Sequence, residues 1–98
     1  MSSVTNFASG KLACAAELAA IDVACGFVPK IVKIYTDGDA DTGSEWLECM
    51  ASGSARRTLG STGAVTVITS AGITPGDHGF TIGTGCQVAS LPLYWIAF

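Results

Sequence analysis

The chain has 98 residues, room for one domain with one core. Only 13 % of them are charged and the mean hydropathy is positive, which fits a small monomer coated with Thr, Ser and Gly or, the favoured reading, a subunit whose exterior is completed by other protein. The net charge of −3 and the five scattered Lys and Arg exclude nucleic acid as an expected partner. The longest apolar run, Leu12–Val28, carries Glu17 and Asp22 and is shorter than a membrane span, so no membrane is expected either.

The beginning, Met1-Ser-Ser-Val-Thr-Asn-Phe7, has neither the basic nor the apolar region of an export signal. Residues 1–11 read as an arm or a first short strand, and 12–98 as a single β domain. Leu12–Ala20 has helix-forming composition but spans only about two turns, which leaves helix or strand open with strand favoured. Ile21–Cys25 alternates as a strand does. Gly26-Phe-Val-Pro29 is a turn, because Pro29 keeps Val28 out of the helical region. Lys30–Thr36 is β-branched and aromatic, a strand, and Glu45–Met50 returns from it across the Asp37–Ser44 loop to make a hairpin. Ala51–Gly63 reads as a long small-residue connection that becomes ordered by packing on something. Ala64–Ser70 and Phe80–Ile82 read as strands separated by the Thr74-Pro-Gly-Asp-His78 turn, and Gly83-Thr-Gly85 breaks the chain before Cys86–Ala89.

Leu91–Phe98 ends the chain with Leu91, Leu93, Trp95 and Ala97 on one face and Pro92, Tyr94, Ile96 and Phe98 on the other. Both faces are apolar. Such a strand sits deep in a sheet, or half in a sheet and half against a neighbouring subunit. Six to eight short strands with turn signals between them imply an all-β fold, a single small antiparallel sandwich or barrel.

Residues that could carry chemistry are few. Asp37, Asp39, Asp41 and Glu48 have the outline of a calcium loop, but Thr42 stands where that loop needs glycine and strands replace its helices. Solvated carboxylates are the expectation, with no metal and no cofactor. Cys14, Cys25, Cys49 and Cys86 form no CxxC pair and only one histidine is present, so reduced, mostly buried thiols are expected; a Cys14–Cys25 disulfide stays open. His78 beside Asp77 lacks a nucleophile at any suggestive spacing, and no enzyme is expected. Gly83-Thr-Gly85 lacks the spacing and the helix of a phosphate loop. Arg56 and Arg57 are solvated, or else they bridge to an acidic neighbouring subunit. Trp46, Met50, Tyr94 and Trp95 are ordinary core or an aromatic ligand face, and core is the simpler reading.

Gly26-Phe-Val-Pro-Lys-Ile-Val-Lys-Ile-Tyr35, Glu45-Trp-Leu-Glu-Cys-Met50, Gly72-Ile-Thr-Pro-Gly-Asp-His-Gly-Phe-Thr-Ile-Gly83 and Leu93-Tyr-Trp-Ile-Ala97, in that order, resemble small virion proteins of tailed bacteriophages, of the head-decoration (cement) type. The chain departs from the pattern in its Ala- and Cys-rich Leu12–Ala20 and in having His78 at an acidic position. The resemblance implies a non-enzymatic β subunit, made in the host cytoplasm and placed on the capsid surface of the virion. Its implied partners are the major capsid protein and further copies of itself, as a homotrimer. Candidate contacts are the arm, Ala51–Gly63 with Arg56 and Arg57, and Leu91, Tyr94, Trp95, Ile96 and Phe98. A head-fibre or tail subunit is the alternative, and a small calcium- or carbohydrate-binding module using the Asp37–Asp41 loop and Trp46 a more distant one.

Overall fold

The computed structural model describes residues 7–37, 43–58 and 62–98. They form eight strands, β1 (Ala8–Ala13), β2 (Ile21–Ala24), β3 (Ile31–Thr36), β4 (Gly43–Leu47), β5 (Ser54–Thr58), β6 (Val65–Pro75), β7 (Gly79–Ile82) and β8 (Pro92–Ala97), with one 3-10 turn at Thr84–Cys86. The fold is all-β. Every pairing is antiparallel, in the order β1-β8-β3-β4-β5-β6-β7-β2, and the sheet curls into an open half-barrel.

The curl originates in β6. Ser54 pairs with Ile73, while its neighbour Ala55 pairs with Ile68, so Thr69–Gly72 fall between two consecutive partners. A bulge this large bends the strand sharply. Ala71 takes a left-handed φ of 57°, and a Cβ on Gly72 would run into the Ser54 carbonyl. Val65–Ile68 thus extends the sheet β1-β8-β3-β4-β5, whereas Ile73–Pro75 opens onto β7 and β2. The smaller wing folds over the larger, and Phe80 of β7 meets Trp95 of β8 edge-on with ring centroids 5.5 Å apart. Val32, Ile34, Trp46, Ile73, Ile82 and Leu93 fill the space between them.

The hairpin of β3 and β4 forms as expected, with Val32 and Ile34 inward, but its second strand is Gly43–Leu47 rather than Glu45–Met50, and Glu48–Met50 lie in the turn that follows. Two further expectations need correction. The supposed connection Ala51–Gly63 contains β5, whose Ser-Ala-Arg-Arg-Thr sequence has no strand signal of its own; ladders to β4 and β6 on either side hold it extended. The strand favoured for Leu12–Ala20 is present only in its first two residues, where β1 ends at Ala13, and Cys14–Ala20 has no regular structure. That stretch is held instead by Cys14 N donating to Leu91 O (3.1 Å), Ser90 N to Ala15 O (3.2 Å) and the Gln87 amide to Ala19 O (2.8 Å). Its helical propensity is too short-ranged to compete. All four cysteines are free thiols.

Candidate interaction surface

The last strand, β8, lies between β1 and β3, and its two faces differ. Leu93, Trp95 and Ala97 point into the core, while Tyr94 and Phe98 are exposed and Ile96 is half-buried. Burial on both sides within one chain is therefore ruled out, and only one face of this apolar strand is covered. Trp95, an expected contact residue, is a core residue at 9 % exposure. Trp46 is likewise internal at 4 %, its indole N–H donating to Ala51 O at 3.1 Å, and it presents no face to a ligand.

Register places the outward side chains in rows. Phe7 stacks against Phe98 with centroids 5.6 Å apart, and the row continues through Ile31 to Leu47. A second row runs Ser9, Ile96, Lys33, Glu45, Arg56, Val67. The third runs Lys11, Tyr94, Tyr35, Gly43, Thr58, Val65. Of the eight large apolar side chains exposed in the described residues, seven lie in these rows: Phe7, Tyr35, Leu47, Val65, Val67, Tyr94 and Phe98. Such concentration on one sheet face is clustered rather than scattered exposure.

Of the charges on this face, Lys33, Glu45 and Arg56 run along the middle row, between the apolar side chains of the other two, and Lys11 stands at the end of the third. Arg56 reaches Glu45 at 3.5 Å, an exposed pair of small energetic value. Lys11 Nζ stands 5.3 Å from the Tyr94 ring centre, and the Tyr94 hydroxyl donates to Asp37 Oδ2 at 2.9 Å. Three of the five Lys and Arg, Lys11, Lys33 and Arg56, lie here, so the face is more cationic than an acidic chain would suggest. Gly43 has no side chain between Tyr35 and Thr58, and a shallow cavity of about 350 Å³ opens over it, walled by Lys33, Glu45 and Arg56.

The remaining candidates fall elsewhere. Arg57 turns to the inner side of β5, opposite Ser44, with its Nε buried and without a hydrogen-bond partner among the described residues. Beside it, burial raises the Cys86 thiol above its ordinary 9.0, against the lowering effects of the Ser44 hydroxyl and the Arg57 charge. Leu91 is half-buried before β8. His78 is exposed on its turn, where its backbone carbonyl accepts from Cys25 N and Gly26 N, both at 2.9 Å. Asp39 and Asp41 lie outside the described residues, and among those described no three metal-binding side chains come together. Glu48 is exposed in the turn after β4.

Neither Val65 nor Val67 was legible as part of this surface. Their strand was evident, but which face was left bare depended on the bulge that detaches Val65–Ile68 from the smaller wing. Compared with known proteins, the chain matches no family model, no curated protein and no solved structure.

Proposed function

We propose that this chain is a structural, non-catalytic subunit of the tailed-phage head-decoration type, which binds the outside of a capsid shell and ties neighbouring capsid subunits together. The observation that carries this reading is the outer face of the larger wing, where seven exposed apolar side chains gather among three cations. The order of the four sequence motifs supports the particular assembly, and the chain's shortage of charge supports an exterior completed by other protein.

Magnitude shapes the mechanism. Six strands spaced at about 4.8 Å and five or six residues long give a footprint of roughly 24 by 17 Å, near 400 Å². A stable interface usually covers about 800 Å² on each partner. One copy therefore holds weakly, and attachment through several linked copies supplies the rest, since each bound copy raises the effective concentration of the next. The Lys33, Glu45 and Arg56 stripe sets orientation more than strength.

The test is addition of the purified protein to undecorated shells of tailed phage. Saturable, stoichiometric binding and a higher temperature of shell disruption are expected, with binding lost in the Tyr94→Glu, Phe98→Ser double variant. Absence of binding to any shell offered, or equal binding by the double variant, would overturn the reading.

A further inference from the structure

We infer that the free edge of β6 at Val65–Ile68 pairs antiparallel with the same edge of a second copy, about a two-fold axis close to Thr66 and Val67. This goes beyond the docking reading and needs no shell. Val65–Ile68 bonds to β5 on one side, and among the described residues no strand lies on the other, because β7 pairs only with Ile73–Pro75. The backbone donors and acceptors along that side face outward, a ready template for another strand.

The other free edges are protected and this one is not. β1 carries Lys11, and β2 is only four residues long and carries Asp22. Charge and shortness are the usual devices against edge-to-edge pairing. From Val65 to Ala71 the sequence is Val-Thr-Val-Ile-Thr-Ser-Ala, without charge or proline, and its first five residues are all β-branched. Val67 is 59 % exposed and Val65 48 %.

A second copy is the occupant that fits. An identical edge laid antiparallel sets Val and Thr against Val and Thr, leaving no charge unmatched. The two-fold keeps faces in step, so Val65 and Val67 of both copies close over one side of the joint and Thr66 and Ile68 over the other. Two outer faces then become one, and the footprint of roughly 400 Å² becomes the approximately 800 Å² of a standard interface. Gly85 lies near Ile68 Cδ1 and the Ala71 carbonyl, so the 3-10 turn limits the free stretch to about the four residues named. A joint this short is reversible.

The experiment is sedimentation of the full chain, without shells, from micromolar to millimolar concentration, with hydrogen exchange followed at the same concentrations. The mass should rise from the 10.0 kDa of one chain towards twice that, and those amides of Val65–Ile68 that turn away from β5 should gain protection as it does. Val67→Lys puts like charges across the axis and should weaken association by at least about tenfold. Val28→Lys, at an exposed loop site, should leave it unchanged. A monomer at every concentration overturns the inference, as does a dimer whose Val65–Ile68 amides gain nothing. A trimer also overturns it, since a two-fold joint closes at two copies, and would instead support the ring that the family resemblance implies. These outcomes stand whether or not the protein binds a shell.

Discussion

Gly10 lies on the inner face of β1 opposite Trp95, and a Cβ there would come within 2.7 Å of the indole nitrogen. Trp95 is pinned from the other side by Phe80, so it has little freedom to retreat. Gly10→Val should therefore destabilise by about 1–3 kcal/mol, with a fall in melting temperature of about 4–8 °C for each kcal/mol. A thermal melt followed by tryptophan fluorescence measures this, and an unchanged midpoint would mean the indole is not held across β1. Cys86 supports a second prediction at the same scale. Burial keeps its thiol protonated to higher pH than in the unfolded chain, the Ser44 hydroxyl and Arg57 only partly offsetting it. Above the ordinary 9.0 the folded state thus holds more protons than the unfolded one, so this group's effect is absent below that pH and stability falls as pH rises through it. Cys86→Ala should flatten that alkaline loss in urea titrations. In the native protein the exposed Cys49 should react with thiol reagents well before Cys86.

At the scale of elements, β6 decides the architecture and β8 the surface. The corner at Thr69–Gly72 needs one residue in left-handed conformation and one with no side chain. Ala71 carries a Cβ at φ 57°, a conformation that glycine adopts freely. Ala71→Gly should stabilise by about 1 kcal/mol, whereas Gly72→Ala, forced against the Ser54 carbonyl, should cost about 3 kcal/mol. Denaturant titration of both variants checks the pair, and the opposite order of stability would contradict the corner described. β8 was readable as a strand from its composition, and its register shows why both its faces are apolar. One serves this chain's core and the other is left outside with Tyr94 and Phe98.

For the molecule as a whole, the extents of 46 × 24 × 20 Å describe an elongated particle, and six of its eight strands form the larger wing. The two modes of association proposed for that wing differ in chemistry, and salt separates them. The outer face carries Lys11, Lys33 and Arg56, so docking that draws on these charges should weaken with ionic strength. The β6 edge is uncharged, so pairing between copies should hold or strengthen as salt rises. Binding and sedimentation measured in the same salt series would show the two trends diverging; parallel loss of both would mean a single charged surface serves them.

The sequence by itself determined the all-β class, the β3–β4 hairpin and the shared face of Val32 and Ile34, because alternation within a strand is a local signal; β8, apolar on both faces, carried no such signal. It also made plain that the chain is poor in charge. It did not disclose β5, whose Arg56 and Arg57 are extended only because strands flank them on both sides. Nor did it show that the strand read as Ala64–Ser70 turns a corner and runs on to Pro75. Which apolar face is left bare depends on where the smaller wing lands, and that is settled by backbone contacts between residues far apart in the chain, Gly72 with Ser54 and Gly83 with Ala71. Tertiary structure alone decided which valines and tyrosines became surface.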